Sequence, residues 1–463
     1  MRKKFLFWVL VYPMVIFGQD YLQLDPSFGA GGLIEINLGC FETMVADHIV
    51  ATDGKIIVAG QMQLTASSYP KAFVARFHPN GTLDTDFGSN GHIFTNLTPH
   101  SVAVNLFQDN SILLSTLDAA QKFDQNGTLD TSFGDAGTLD PEGLVRFAKV
   151  AITNDNKILT AYSYFVWTEH TKVKFKRFLS NGSPDSFNDI SFGDINKGNV
   201  PDKLVIFPDN HILLSYIVDY NGVYDFGNIK LVKLDSQGIV EAEVDCGADY
   251  KGELLTVGLD GKVLVECRYL GYSEVFQYNS DLTLNTSFGT NGSSTVFPAY
   301  DYHLSRSDGK IISIDDDNGV LRVYRTNGSL LDSTFANNGM QQFNFQNKFF
   351  EDADLLGDGL LLSGHTYPYA NNKLFIAKFD GASDLNINTD ESFIAGLYPN
   401  PVTDFLNVTN ISPGTLVSIF TMDGRGIREE QLGFTQKVDL TTLNKGFYIL
   451  KIGEIGSFKI YKN

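Results

Sequence analysis

The sequence predicts an all-β chain, a seven-bladed β-propeller followed by a small C-terminal β-sandwich. Three observations carry that fold class. The 463 residues combine 13% aromatic residues with 43 glycines, the mixture of strand formers and turn residues that suits a β protein rich in turns. Three short phrases recur seven times in one fixed order. The last stretch, about 70 residues, drops those phrases for a different strand-rich text.

The chain opens MRKKFLFWVLVYPMVIFGQD, where Arg2, Lys3 and Lys4 precede an apolar run from Phe5 to Phe17 and the small residue Gly18. This reads as a secretory signal peptide over 1–18, cleaved after Gly18. The alternative, a membrane anchor, needs roughly 20 apolar residues. The formal charge of −19 becomes −22 without those three cations, which repels phosphate backbones and argues against nucleic acid as a partner.

The first phrase is LDPSFGAGG (24–32), repeated as LDTDFGSNG (83–91), LDTSFGDAG (129–137), LNTSFGTNG (284–292) and LDSTFANNG (331–339). It is degenerate at PDSFND (184–189) and IVEAEVD (239–245). The phrase reads as a corner. Leu fills the core, Asp accepts turn amide hydrogens, Phe packs between sheets and Gly permits the bend. The second phrase, such as ATDGKIIVAG (51–60) or FPDNHILLS (207–215), reads as a two-residue turn feeding a strand, with Asp53, Asp109, Asp155, Asp209, Asp260, Asp308 and Asp358 marking the seven copies. The third, such as FVARFHPNG (73–81) or FIAKFDG (375–381), is an alternating strand ending in a second turn.

Copies roughly 45–59 residues apart leave room for about four short strands each, the spacing of a propeller blade. The repeats begin with a corner plus LIEI and end with FIAKFDG, so the ring is cut inside a blade. The N-terminal strand near Leu33–Asn37 is expected beside Phe375–Phe379, closing the circle and removing two exposed edges. An open array is the alternative. In order and wording the units resemble the delta-60 repeat family of β-propellers over about residues 24–382, with blades four and five departing most. That resemblance implies a fold and transfers no catalytic residue.

The expected boundaries are a propeller over 19–380, a polar linker over 381–392 and a small β-sandwich over 393–463. The tail is similar to the type A C-terminal sorting domain of the type IX secretion system of Bacteroidetes. The match rests on Tyr398, Pro399, Asn400 and Pro401, on Asn407, on Asp423 and Gly424, on Gly446 and Tyr448, and on Lys459 and Lys462. The resemblance implies passage through the periplasm to the medium or the outer cell surface. It implies the secretion machinery and a sortase as partners, and attachment to surface lipopolysaccharide or release.

Chemistry is sparse. Eight histidines show no HxxH or HExxH spacing, so no zinc ligand set is visible, and no GxSxG elbow occurs. Three cysteines cannot build a disulfide framework. Cys246 and Cys267 are the candidate pair, with buried free thiols as the alternative. Asp124, Asn126 and Asp130, and the cluster Asp315, Asp316 and Asp317, offer oxygens suited to calcium, but tight turns need the same residues. No cofactor is expected.

Two functional classes remain. In the first, blade loops present Tyr69, Tyr162, Tyr164, Trp167, Tyr220, Tyr224, Tyr367 and Tyr369 to a glycan or protein. In the second, converging carboxylates at one propeller mouth make a secreted polysaccharide hydrolase or lyase.

Overall fold

The computed structural model describes residues 22–463 apart from 141–146, 164–171, 187–189, 194–197, 208, 219–226, 247–250, 259, 270–271, 298–301, 316–318, 344, 346, 358, 368–371, 382–395, 399–401, 410–413, 422–424, 434–436 and 453–455. The signal peptide and linker expected from the sequence lie outside these residues. Every regular element among the described residues is a β-strand. The chain divides into two compact units, Met1–Ser383 and Asp384–Asn463.

The first unit holds seven antiparallel sheets. Six are four-stranded meanders, blades 1 to 6, over Glu42–Phe94, Ala103–Leu139, Phe147–Phe192, Asn199–Asp245, Lys251–Ser294 and Tyr302–Gln342. Blade 7 contributes Lys348–Leu356, Gly359–Thr366 and Leu374–Gly381, and the N-terminal strands Leu22–Leu24 and Leu33–Ile36 pair along its outer edge. The first strands of successive sheets touch around the whole circle, that of blade 7 meeting that of blade 1. Those strands therefore surround the axis, and the ring is closed.

Closure uses the bonds that join strands within an uninterrupted blade. In blade 1, Asp84 donates its N–H to Arg76 (2.9 Å), and Arg76 donates to Gly91 (3.1 Å). In blade 7, Asp25 donates to Lys378 (2.9 Å), and Lys378 donates to Gly32 (2.9 Å). Leu33 pairs with Ala377 and Ile36 with Leu374, as expected from the sequence.

The second strands read as apolar runs because both faces are covered. In blade 1, Ile56 and Val58 pack with Leu361 and Ile376 of blade 7, while Ile57 and Ala59 pack with Ile112 and Leu114 of blade 2. The turn before this strand is longer than the two residues expected. Ala51 donates to Lys55 (2.8 Å) and Gly54 donates to Ala51 (2.9 Å), so Thr52, Asp53 and Gly54 form a three-residue loop. Its third position carries positive φ, 81° at Gly54 and 60° at Asn110, which is why Gly and Asn alternate there.

The corner phrase joins neighbouring blades. Phe28, Phe87, Phe133 and Phe288 are fully buried, each against the turn glycine of the next blade: Gly81, Gly127, Gly182 and Gly328. A Cβ on Gly81 would lie 3.0 Å from the Phe28 ring, so a side chain there would displace it. A main-chain bond accompanies each contact. Gly29 donates to Asn80, Gly88 to Asn126, Gly134 to Asn181 and Gly289 to Asn327, at 2.7–2.9 Å.

The corner aspartate works on two fronts. Asp25, Asp130 and Asp332 accept the turn amides of Ser27, Ser132 and Thr334. The carboxylates also meet cations of their own sheet: Asp84 meets Arg76 at 2.8 Å and Lys55 at 3.1 Å, Asp185 meets Arg177 at 2.7 Å, and Asp332 meets Lys310 at 2.8 Å. In blade 5 an asparagine stands in the phrase, and there the partner is neutral too, Asn285 donating to Gln277 Oε1 at 2.7 Å.

The second unit is a sandwich of a three-stranded sheet, Gly396–Tyr398, Phe405–Thr409 and Lys437–Asp439, and a four-stranded sheet of Leu416–Thr421, Gly426–Gln431, Gly446–Ile452 and Gly456–Lys462. Leu406, Val408 and Val438 from the first sheet share one buried cluster with Val417, Ile419, Leu450 and Ile460 from the second.

Two outcomes follow from this construction. Deleting residues 19–38 removes Phe28 and the closing strand, so the melting temperature should fall by on the order of 10 °C, since loss of one buried Phe costs ~3 kcal/mol or more. A deletion variant melting with the parent would refute closure as a source of stability. Burial alone would raise the Asp332 carboxyl, but Lys310 and Thr334 outweigh it and hold it at about 2. A depressed carboxyl stabilises the folded state above its ordinary pKa of 3.8 and loses that contribution as pH falls towards 2, an effect of about 2 kcal/mol. In urea denaturation, the stability gap between the parent and Asp332→Asn should therefore be widest above about pH 5 and close towards pH 2.

Candidate functional site

The inner strands break their ladders at a recurrent bulge. In blade 1 the register shifts between Val45 and Asp47, in blade 4 between Pro201 and Lys203, and in blade 7 between Phe350 and Asp352. A bulge leaves an extra residue unpaired and re-aims its neighbours. Asp47 and Asp352 follow the bulge at equivalent places and make equivalent bonds to the next blade. Asp47 Oδ2 accepts the Val104 N–H at 2.7 Å, and Asp352 Oδ2 accepts the His48 N–H at 2.8 Å.

A cavity of about 770 Å³ lies among the inner strands of blades 1 to 4 and 7. Its lining mixes Asp47, Asp202 and Glu351 with Lys149, Lys203 and His100. Burial, with the charge of Asp352 added, pushes the Asp47 carboxyl well up.

Around the seam of blades 1 and 7 the side chains are more polar still. His48 is 3% exposed. Its Nδ1 lies 2.8 Å from both Ser363 Oγ and Asp352 Oδ2, and its Nε2 lies 3.7 Å from Asp354 Oδ2. These residues are some 300 positions apart in the chain, which is why no histidine spacing showed them. The one local signal was EDAD (351–354), whose Asp352 and Asp354 share a strand face at period two.

At the end of the ring where the inner strands begin, the loops between second and third strands carry exposed aromatic rings. Tyr69 of blade 1 is 91% exposed and Tyr367 of blade 7 is 53% exposed. Phe349, 39% exposed at the start of the inner strand of blade 7, stacks on His365 with ring centroids 5.7 Å apart and meets Tyr367 edge-on at 6.3 Å. Phe349 was not among the residues singled out from the sequence, because it sits in a strand and not in the loop.

The other aromatic candidates do not join this group on the described residues. Tyr162 is fully buried in the strand Ile158–Ser163, so its ring presents no face to solvent. The loop expectation for it missed that the strand runs two residues beyond its phrase, TNDNKILTA (153–161). Tyr164, Trp167, Tyr220, Tyr224 and Tyr369 lie outside the described residues.

Cys40, Cys246 and Cys267 are free and buried. Burial pushes the Cys246 and Cys267 thiols up to about 12, and Cys267 Sγ donates to the Cys246 carbonyl at 3.6 Å. They are packed apolar thiols and not a disulfide. Of the acids weighed for calcium, Asp124 accepts the Asn126 and Thr128 amides, Asp130 accepts Ser132, and Asp315 meets Arg322 at 3.4 Å. Asp316 and Asp317 lie outside the described residues.

In the tail, Asn407 pairs with Tyr398 on one side and Lys437 on the other. Gly446 pairs with Lys462, Ile449 with Lys459, and Tyr448 with Ile460. The Tyr448 hydroxyl donates to the Asn444 carbonyl at 2.8 Å, and Lys462 is buried. Five of the quoted residues, Pro399, Asn400, Pro401, Asp423 and Gly424, lie outside the described residues. The six others all belong to paired strands.

Residues 396–462 match the family model of the secretion system C-terminal sorting domain. The tail is a secretion-system sorting domain. Residues 51–87, one turn-to-corner span of blade 1, match a β-propeller domain of unknown function, DUF5122. No curated protein sequence matches this one. Among solved structures, the polysaccharide lyase Uly1 is 10% identical with a TM-score of 0.52, covering 75% of this chain and 98% of its own. PorZ, a surface component of the type IX secretion system of Porphyromonas gingivalis, is 13% identical with a TM-score of 0.44. That match covers 92% of this chain, which spans 59% of the PorZ chain. Similarity at this level speaks to fold alone. With its sorting domain the protein is a β-propeller delivered by type IX secretion, and its place is outside the cell or on the outer surface.

Proposed function

We propose that the protein is a surface or secreted binding propeller for a glycan or a protein ligand. The observation that carries this reading is the aromatic group at one end of the ring, Tyr69, Phe349 and Tyr367 on adjacent blades 1 and 7. Exposed rings of this kind cover apolar sugar faces and anchor protein interfaces at little entropic cost. The packing of Phe349 on His365 and Tyr367 favours recognition, because those rings are held before the ligand arrives. Residues 1–18 act as a signal peptide for periplasmic entry, 19–380 form the delta-60-like working domain and 381–392 form a linker. In a Bacteroidetes host, residues 393–463 engage the secretion machinery. A sortase cuts in the linker, and the cargo is then released or joined to lipopolysaccharide.

A second reading is supported by the acids Asp47, Asp202 and Glu351 on one cavity lining. On that reading the protein is a hydrolase or lyase acting on polysaccharide. A glycan array probed with the exported protein separates the two. Binding that falls about 3- to 10-fold in Tyr69→Ala and again in Tyr367→Ala, without product release from a polysaccharide panel, is the expected result. Chain cleavage that survives both substitutions would favour the enzyme.

The address is tested separately. Truncation after Asp390 should leave a folded propeller in the periplasm, and fusing residues 381–463 to a foreign secreted domain should carry that domain outside. Fractionation with mass spectrometry reads both. Surface export of the truncated chain would overturn the role of the tail, and an exported chain still ending at Asn463 would overturn cleavage.

A further inference from the structure

The seam between the last blade and the first carries an arrangement that hydrogen bonding leaves incomplete. The His48 side chain is fully buried, and its Nδ1 sits at hydrogen-bond distance from Asp352 Oδ2 and Ser363 Oγ. In the neutral imidazole a proton on Nδ1 donated to Ser363 Oγ leaves the Nε2 lone pair bare, whereas the carboxylates around the ring favour the imidazolium, which carries a proton on each nitrogen. That Nε2 has no hydrogen-bond partner. It points at Asp354 Oδ2 from 3.7 Å, too far for a hydrogen bond. Across that gap either a proton on Nε2 or a metal ion can link the buried imidazole to the carboxylate.

We propose that His48, Asp352 and Asp354 form a binding site for a divalent first-row transition ion of the zinc class. The atoms these residues offer, an imidazole nitrogen and two carboxylate oxygens, lie within 4.8 Å of one another. Bonds of about 2.0–2.2 Å put two ligand atoms of one tetrahedral ion about 3.4 Å apart, so a pair at the 4.8 Å limit has to close by about 1.4 Å, a movement that side-chain rotation on metal entry must supply. The 3.7 Å between Nε2 and Asp354 is within a few tenths of an ångström of a tetrahedral edge. An imidazole with carboxylates selects zinc, manganese or cobalt over calcium and magnesium, which take all-oxygen sites. The Asp354 side chain is half exposed, which gives the ion a way in and leaves positions for water.

The placement has a mechanical consequence. His48 lies on the inner strand of blade 1, and Asp352 and Asp354 lie on that of blade 7. An ion held there ties the first blade to the last at the channel wall, while the N-terminal strand ties the same ring at its outer edge. Its water-bearing face looks towards the channel.

The test uses the tag-free, chelator-treated exported protein with Zn²⁺ alone, and with Ca²⁺ and Mg²⁺ as comparators. Retained zinc of one ion per chain, a melting temperature that climbs with Zn²⁺ and not with Ca²⁺ or Mg²⁺, and affinity at least tenfold weaker in His48→Gln and Asp354→Asn are the expected results. Asp354→Asn changes a half-exposed side chain and so keeps the test valid if the buried His48→Gln chain does not fold. The parent holding no zinc, or Asp354→Asn holding it as tightly as the parent, would overturn the site.

Discussion

The ring rests on one contact, the corner phenylalanine of each blade seated on the turn glycine of the next. The pair is steric at its root. Phe28 or Phe288 can reach Gly81 or Gly328 only because the receiving residue lacks a Cβ, and that glycine also supplies the positive φ its turn demands, 83° at Gly81. The main-chain bond from the residue after the phenylalanine fixes the angle between sheets. The aspartate three residues before it then locks the corner to its own sheet through a cation. Phe28, Phe87, Phe133 and Phe288 thus each act as a plug for a glycine socket on the next blade.

Where the plug is missing the socket changes with it. Blade 4 ends in VEAEVD with no phenylalanine, and the residue of blade 5 at the glycine position is Leu282, buried and held at φ 63°. Its side chain enters the cluster with Phe207, Cys246, Cys267 and Tyr278, filling space that a ring occupies elsewhere. A leucine at positive φ is strained, and the strain is offset by the apolar area it buries. The neutral pair Asn285 and Gln277 in blade 5 follows the same logic: a carboxylate removed alone would strand a cation, so both partners change together.

The joint was legible in the sequence because every member recurs at a fixed offset, and so was ring closure, since a repeat text cut mid-unit must be completed from its other end. The tail was legible for the same reason of wording. The site was not. Asp47, His48, Asp352 and Asp354 lie on inner strands, outside the three recurring phrases, so no phrase marks them. Their meeting depends on closure and on a bulge at each strand, and a bulge has no sequence signature in these residues. Tyr162 shows the opposite failure, an aromatic that reads as a loop residue but ends a buried strand. Phe349 shows the same limit from the other side, an exposed ring in a strand that alternation alone would send inward.

The division of labour follows from this difference. Positions that repeat are fixed by blade-to-blade geometry and are unavailable for anything specific to one ligand, since a change at one corner costs the packing of two blades. Specificity must then come from the residues that do not repeat, and these gather on two connected surfaces: the inner strands and the loops at the end where those strands begin. Among the described residues blades 7 and 1 contribute to both, with Phe349, Tyr367 and Tyr69 at the rim and His48 beside Asp352 and Asp354 below. That pair of blades is also where the chain enters and closes the ring. The two blades are held by the N-terminal strand at the outer edge and by Asn372 near the rim, whose amide accepts from the Thr43 N–H at 2.7 Å and donates to the Thr43 carbonyl at 2.6 Å. A seam braced at both places can carry buried polar groups that an ordinary blade interface would exclude, and His48, Asp352 and Asp354 sit where the first and last blades of the ring meet.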